Sequence, residues 1–317
     1  MNLSDKIYVL GAGAIGFPLA AYLTHAGRTV FAVRTSQQNV GPGTVSVSVQ
    51  NGTNRISTPV ETISLAKLSH IDGMIVITSK SYANPEIARA LRAKAAIGPI
   101  IIMQNGVSVE TPFIDAHFSS VYRCVLYATG QTVATYDFTF RPINPSPIGV
   151  IQGDGADLER CVEALTTAAF PFRIEANIQR EIWKKAVINA VFNSICPLLD
   201  IDNGVFVRDA AARDLALEII HECVTLTDRL NLGLGLGLSE NELMEQLLRI
   251  SQGSSGQLIS TLQDIKQGRP TEIAFLNLEI ARVAAALQPQ LTLPRTEFLG
   301  KMIEAKSRYN QAIHANG

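Results

Sequence analysis

Lys185, Asn189 and Asn193 recur every four residues along the stretch Glu181–Leu199. Almost everything around them is apolar: Ile182, Trp183, Ala186, Val187, Ile188, Ala190, Val191, Phe192 and Ile195. The pattern predicts a buried helix, stopped near Pro197 because proline cannot continue the hydrogen-bond ladder. Four residues advance a helix by roughly 400°, so the amine and the two amides share one face with a drift of about 40° per step. Buried polar groups of this kind are costly without partners. Two readings are open. The side chains satisfy backbone groups of neighbouring helices, or they face a ligand, the amine giving a proton and the amides holding an oxygen.

A second chemical pattern lies near the N-terminus. Ile7–Leu10 is a short apolar strand, followed at once by Gly11-Ala-Gly13-Ala-Ile-Gly16. A helical stretch Ile15–Ala26 comes next, closed by Gly27, and then a strand, Thr29–Val33. Strand, glycine turn, helix and strand stand in the order that dinucleotide binding requires. Gly11 permits the turn. Gly13 lets the backbone approach a pyrophosphate at the positive end of the helix, and Gly16 lets helix and strand pack closely. Proteins that bind NAD place Asp or Glu at the end of the second strand, to bond the ribose 2′-hydroxyl. Here that strand runs into Arg34-Thr-Ser-Gln-Gln, and no acidic residue occurs between Asp5 and Glu61. A planar guanidinium suits a 2′-phosphate, so Arg34 favours NADP(H) over NAD(H). The plainer reading is a solvated surface arginine.

The elements that must position these residues follow from the rest of the chain. Gly73–Thr78 reads as a buried strand ending in Ser79-Lys80, and Pro99–Met103 as another ending in Gln104-Asn105-Gly106. Ligands gather at the carboxyl ends of strands in open α/β sheets, which puts Lys80 and Asn105 where a ligand would lie. Asn105-Gly106 also reads simply as a turn. Asn51-Gly52, between Val45–Gln50 and Arg55–Pro59, is a hairpin signal. Asn84–Ala95 reads as a helix. Val121–Ala128, Gln131–Tyr136 and Ile148–Gln152 read as strands that extend the sheet in antiparallel fashion. A helix, Ala156–Ala169, and a last strand, Phe172–Ile174, complete this part.

From about Ile178 long helical patterns take over: Arg180–Ile195, Asp209–Leu230, Glu240–Ile250, Gln257–Lys266, Thr271–Leu287 and Pro294–Tyr309. The Gly-Leu repeat Gly233–Leu238 reads as an interhelix loop. Within Gln257–Leu278, Gly268 closes one helix and Pro270 opens the next. Glu272 then falls in a first helical turn, where the helix dipole stabilises a carboxylate. Ser260 reads most simply as a helix residue bonded to its own backbone. The expected architecture is an α/β domain, residues 1–176, joined to an all-helical domain, residues 177–317, with a substrate in the cleft between them.

Bulk properties agree with a cytoplasmic protein of about two domains. The chain has 317 residues, 47% hydrophobic and 17% charged, enough for a large core. A net charge of −1 argues against nucleic acid or a membrane surface as partner. Cys124, Cys161, Cys196 and Cys223 lie far apart, with no spacing that suggests a metal site or a disulfide framework. No apolar run reaches the length of a membrane span, and the N-terminus runs straight into a strand with no signal peptide.

Taken together, these residues resemble the ketopantoate reductases (2-dehydropantoate 2-reductases), essentially end to end. The carriers are Gly11-Ala-Gly-Ala-Ile-Gly16, the strand-end Lys80, Gln104-Asn-Gly106, Trp183-Lys-Lys-Ala-Val-Ile-Asn189 with Asn193, and Ser260-Thr-Leu-Gln-Asp264 leading to Gly268-Arg-Pro-Thr-Glu272. The resemblance implies a Rossmann domain followed by a helical domain of the 6-phosphogluconate-dehydrogenase type. It also implies NADPH as cofactor and reduction of a 2-oxo acid, ketopantoate to pantoate for pantothenate synthesis. A homodimer through the helical domain is expected on the same basis.

Carried over, the resemblance makes Lys185 the general acid and leaves the adjacent Lys184 as the competing assignment. Glu272 would orient the lysine and bond the substrate, near the cofactor. Asn189 and Asn193 would hold substrate oxygens, and Ser260 the carboxylate. Lys80 and Asn105 would lie between cofactor and substrate. Gly11, Gly13, Ala14, Ile15 and Gly16, with Arg34, would bind the dinucleotide. Ala274, Gln257 and Leu278 depart from the family pattern and bear on which oxo acid is used. Another branched or hydroxylated 2-oxo acid is therefore an alternative substrate. A non-catalytic NADPH-binding sensor is the alternative from another class, and the Lys185/Asn189/Asn193 stripe argues against it.

Overall fold

The computed structural model describes residues 5–36, 41–230 and 236–316. The chain divides into two compact units. One holds Met1–Gln104 with Val109–Ile178; the other holds Gln179–Gly317 together with the short segment Asn105–Ser108.

The first unit is α/β. Its elements are β1 (Lys6–Leu10), α1 (Gly16–His25), β2 (Thr29–Arg34), β3 (Gly43–Asn51), β4 (Asn54–Ser64), β5 (Met74–Ile77), α2 (Asn84–Ala93), β6 (Ile100–Ile102) and α3 (Thr111–Asp115). They continue with β7 (Val121–Cys124), β8 (Ala128–Ala134), β9 (Asp137–Pro142), β10 (Ser146–Gln152), α4 (Gly155–Leu165) and β11 (Phe172–Ile174). The described strands form one sheet in the order β11-β10-β7-β6-β5-β1-β2-β4-β3-β9-β8. From β7 to β4 every neighbouring pair is parallel. β5 reads Met-Ile-Val-Ile and β6 Ile-Ile-Ile, all buried. Such runs suit central parallel strands covered on both faces. β1 lies between β2 and β5, where the strand order reverses, so the glycine turn that follows it opens at the switch point of the sheet.

The β3–β4 hairpin forms around Asn51-Gly52 as the dipeptide suggests, with Asn51 opposite Asn54 and Gly52 at φ 59°. Two other expectations need correction. β7 is parallel to β6, not antiparallel, and only β10 pairs antiparallel with it. The chain after β7 crosses to the opposite edge, where the β8–β9 hairpin pairs with β3. The reason lies in β9, Asp137–Pro142. Phe138 and Phe140 alternate inward along β9 and bury against α1: Phe138 against Phe17, Phe140 against Tyr22. Phe140 also stacks on Phe170 at 4.4 Å, so the curled sheet shares one aromatic stack between its two ends.

The second unit is helical: α5 (Ile178–Leu199), α6 (Val205–Arg208), α7 (Ala210–Leu230), α8 (Glu240–Gly253), α9 (Ser260–Lys266), α10 (Asn277–Ala285) and α11 (Pro294–Asn316). α5 is buried on nearly every side, as its composition requires. It stops near Pro197, as the sequence suggests. The helix runs to Leu199 and ends where Asp200 takes φ 54° and the Ile201 N–H returns to the Cys196 carbonyl at 3.0 Å. In the last turn the ring removes only one backbone donor, and Lys306 caps the Pro197 carbonyl from α11.

The helix expected over Thr271–Leu287 is also broken. A 3₁₀ turn, Ile273–Phe275, precedes α10, and Leu276 between them sits at φ −111°, ψ −108°. The Phe275 carbonyl accepts from the Val107 N–H at 3.2 Å, so it is diverted from the helical ladder. α11 extends past Tyr309 to Asn316. Of the Gly-Leu repeat, residues 233–235 lie outside the described residues; Leu236-Gly237-Leu238 are non-helical. No helix among the described residues is long and apolar enough to cross a membrane.

Candidate active site

The glycine turn is built on hard steric limits. Gly11 sits at φ 116°, and a Cβ there would lie 2.2 Å from the Ser79 nitrogen on the neighbouring strand end. A Cβ on Gly16 would lie 1.9 Å from the Gly11 carbonyl oxygen. Thr78 Oγ1 ties the same two strands, donating to the Leu10 and Gly11 carbonyls at 3.2 and 2.8 Å. Gly13 differs: nothing lies within 4 Å of its would-be Cβ, and it is exposed. α1 starts at this turn, with the Phe17 N–H on the Gly13 carbonyl at 3.0 Å and the Leu19 N–H on that of Ile15 at 3.0 Å. Ala14 and Ile15 are half-buried between them, and no acidic residue occupies the first turn of α1. An open main chain at the positive end of a helix, with no acidic residue in its first turn, fits a pyrophosphate.

Arg34 is the last residue of β2 and is not a solvated surface arginine. Its Nη2 donates to the Tyr136 hydroxyl at 2.7 Å. Lys80 is half-buried beyond the end of β5, before a 3₁₀ turn, where its carbonyl accepts from the Ala83 N–H. Beneath it, Gln104 and Asn84 form a reciprocal amide pair. Gln104 Nε2 donates to Asn84 Oδ1 at 2.8 Å, and Asn84 Nδ2 donates back to Gln104 Oε1 at 2.7 Å. Gln104 Nε2 also reaches the Ser79 carbonyl at 2.7 Å, so one side chain joins the ends of β5 and β6. Arg123, 2% exposed, pairs with Glu110 and donates to the Gln104 carbonyl. A buried guanidinium is tolerable only with such partners.

In the helical unit the structure separates the two neighbouring lysines. Lys184 Nζ lies 2.7 Å from Glu242 on α8, and Arg180 reaches the same carboxylate at 2.6 Å. Burial pushes the Glu242 carboxyl up, but the hydrogen bonds from Lys184 and Arg180 outweigh it and hold it below the usual carboxylate range. Lys184 is therefore committed to a structural ion pair. Lys185, about 100° further around α5, is half-buried in register with Asn189.

Asn193 is 3% exposed and binds protein on both ends of its amide. Nδ2 donates to the Asn189 carbonyl at 2.9 Å; Oδ1 accepts from Ser260 Oγ and the Thr261 N–H, each at 3.4 Å. Asn193 and Ser260 are thus brought together, and Ser260 bonds across to α5 instead of to its own helix. Burial pushes the Cys196 thiol, further along α5, up to about 12, which keeps it protonated at neutral pH.

Glu272 and Asn105 are also brought into one segment. α9 is closed by Gly268, φ 64°, just past its C-cap, with the Gly268 N–H on the Ile265 carbonyl and the Arg269 N–H on that of Asp264. Asp264 holds the Arg269 guanidinium at 2.9 and 2.7 Å. Glu272 then precedes the 3₁₀ turn and accepts the Phe275 N–H on its carbonyl, so it does not lie in the first turn of an α-helix. Against this turn docks Asn105–Ser108, where a Cβ on Gly106 would lie 2.4 Å from the Phe275 oxygen. Of the departures from the family pattern, Ala274 is exposed on the turn, and Gln257 is exposed before α9. Leu278 packs into the space that Gly300 leaves on α11.

Tyr136, Glu242, Asn84 and Arg123 were not legible as site supports. Their partners are distant in sequence, and no local spacing marks them.

Comparison with known proteins decides the family. The model described as "Ketopantoate reductase PanE/ApbA" matches residues 7–141, and its C-terminal companion matches residues 177–307. The chain belongs to the ketopantoate reductase family. The 2-dehydropantoate 2-reductase of Pyrococcus abyssi is 25% identical over 303 residues, covering 95% of this chain and 97% of the relative. That of Aquifex aeolicus is 23% identical, covering 96% and 98%. Among solved structures, D-mandelate dehydrogenase with NADH and anilino(oxo)acetate superposes with TM-score 0.81 at 18% identity, covering 96% of this chain and 99% of that one. Dimeric ketopantoate reductase from Staphylococcus aureus gives 0.79 at 19%, with the same coverage. At these identities the structural likeness shows the fold: a Rossmann-type unit followed by the family's helical unit.

Proposed function

We propose that this member of the ketopantoate reductase family uses NADPH to reduce a 2-oxo acid to a 2-hydroxy acid, with ketopantoate giving pantoate as the physiological reaction. Family membership across both units supports the chemical class. Arg34, with no acid at the end of β2, supports the 2′-phosphate form of the cofactor. When bound, NADPH supplies a hydride to the carbonyl carbon of the substrate. Negative charge then develops on the carbonyl oxygen, and Lys185 stabilises it and delivers a proton. Glu272 orients the Lys185 ammonium toward the substrate oxygen. Asn189 holds a substrate oxygen, Ser260 the carboxylate, and Asn193 fixes Ser260. Lys80 and Asn105 are assigned to the space between cofactor and substrate on the family resemblance. The dimeric S. aureus relative supports a homodimer.

One observation supports the choice of acid: Lys185 shares the α5 face of Asn189 and Asn193, whereas Lys184 on the next face pairs with Glu242 at 2.7 Å. The test is a panel of 2-oxo acids with NADPH and with NADH, followed by nicotinamide absorbance. The expected result is fastest oxidation with NADPH and ketopantoate. A second reading, reduction of a different 2-oxo acid, is favoured by Ala274 on the exposed face of the Glu272 turn and by the likeness to D-mandelate dehydrogenase. Preference for an aryl oxo acid would select it. No oxidation with any acid would leave a nucleotide-binding sensor and overturn the reductase.

A further inference from the structure

The β8–β9 hairpin crosses the sheet to lie against the dinucleotide turn, and it brings Tyr136 to Arg34 at the end of β2. We propose that Tyr136 is a positioning residue for cofactor preference: it holds the Arg34 guanidinium in place for a 2′-phosphate. The proposal rests on the NADPH reading above.

The geometry is a corner made of two rings. Phe17, in the first turn of α1, and Tyr136 meet edge to face, with centroids 5.5 Å apart and planes at 86°. Arg34 Cζ lies 5.7 Å from the Phe17 centroid and 5.6 Å from that of Tyr136. Its Nη2 donates to the Tyr136 hydroxyl at 2.7 Å. The hairpin itself is pinned on both sides of this contact. Gly130 on β8 sits where a Cβ would be 2.2 Å from the Ala14 carbonyl oxygen, inside the glycine turn. At the hairpin tip Tyr136 takes φ 60°, and its carbonyl accepts from the Ser48 N–H at 2.9 Å.

The physical consequence concerns freedom and charge. An arginine side chain has many rotamers, and a guanidinium already held loses less on binding. A phenol takes one of its five donors and is neutral, so this contact adds no opposing charge. Two rings and a hydroxyl therefore orient the cation without an anion of their own. A ribose 2′-hydroxyl gains little from this arrangement; a 2′-phosphate gains a charge-assisted hydrogen bond.

Fluorescence titration of the full-length protein with NADPH and NADH tests this, with 2′-AMP and AMP as competitors that isolate the phosphate. Tyr136→Phe keeps the ring against Phe17 and removes the hydroxyl. It is expected to raise the Kd for NADPH and for 2′-AMP by about two- to tenfold, the range of one hydrogen bond, while those for NADH and AMP stay put. The ratio of constants on one sample cancels any loss of folded protein. Equal movement of both cofactors, or of neither, would make Tyr136 a purely structural residue and overturn the proposal. Arg34→Gln is the control for the parent reading. If it abolishes the NADPH preference while Tyr136→Phe does not, only the positioning role fails. If Arg34→Gln leaves the preference intact, the 2′-phosphate reading fails with it.

Discussion

The two units carry their candidate chemistry in different parts of the chain. In the α/β unit it is main chain: Gly11 and Gly16 are required by neighbouring backbone, and Gly13 opens onto empty space. In the helical unit it is side chain: Lys184, Asn193 and Ser260 differ not in backbone but in what each one finds to bond. A main-chain site is specified by where a Cβ cannot go. A side-chain site is specified by which partners are taken. Substitutions in the first should therefore move packing and cofactor affinity, and substitutions in the second should move turnover.

The largest expected effect tests the side-chain half. Lys185→Ala should lower turnover by roughly 10²–10⁴, the usual worth of a positioned general acid. NADPH affinity, measured by fluorescence titration, should not change. Lys184→Ala should keep most of its turnover and cost only about 0.2–1 kcal/mol of stability, because its pair with Glu242 is partly exposed. Inversion of these two results would reverse the assignment of the lysines.

The main-chain half is sharpened by two alanines in one turn. Gly16→Ala drives a Cβ into the Gly11 carbonyl, 1.9 Å away, and should cost about 1–3 kcal/mol of stability or more, as overpacking does. Gly13→Ala meets no protein atom within 4 Å, so its melting temperature should stay at the parent value. Its NADPH affinity should fall by roughly tenfold, about 1.4 kcal/mol. If both variants lose stability equally, the turn is a packing device and the open backbone at Gly13 has no ligand to explain it.

This contrast also explains what could be read beforehand. The glycine turn, the parallel strands around it and the long helices are local patterns, and they stand where the sequence puts them. The β8–β9 hairpin does not, because Phe138 and Phe140 choose partners on α1 and before β11 that no local window contains. The break at Leu276 is hidden for the same reason: the carbonyl that a continuous helix needs is taken by Val107. Pro197 marks the end of α5 to within one turn, and the left-handed Asp200 makes the stop itself. The four-residue stripe on α5 marked its members as polar and co-facial. It could not say that Asn193 serves α9 or that Lys184 is engaged by Glu242.

Gly268 lets the comparison be broken, since it is a main-chain requirement inside the side-chain unit. It sits at φ 64°, and a Cβ would lie 2.7 Å from the His314 ring of α11. Gly268→Ala should cost about 1–2 kcal/mol, the strain of a left-handed residue with a side chain. Turnover should fall as well, because the turn it starts carries Glu272, and a steady-state assay alongside thermal melting reads both. A loss of stability with turnover intact would detach the Glu272 turn from catalysis.

The smallest effect belongs to an anchor with no chemical role. Asp202 follows α5 and accepts from the Gly204 N–H at 2.6 Å, the Gly256 N–H at 3.1 Å and Arg208 at 2.7 Å. It thereby ties the loop after α5 to the loop before α9. The hydrogen bond from Arg208, and then those from the Gly256 and Gly204 backbone, hold its carboxyl down to about 2, against the opposing push of burial. A carboxyl depressed from the ordinary 3.8 adds stability that is complete above that value and is lost as pH falls from 3.8 through about 2. Asp202→Asn should flatten the acid limb of the stability curve in that window, compared with the parent protein under the same denaturant series. At neutral pH it should cost about 0.5–1 kcal/mol, since the group is partly exposed, and leave turnover unchanged. If turnover falls at neutral pH while stability holds, the α5–α9 loops act on the chemistry directly, and the line between anchors and reacting side chains in the helical unit has been drawn in the wrong place.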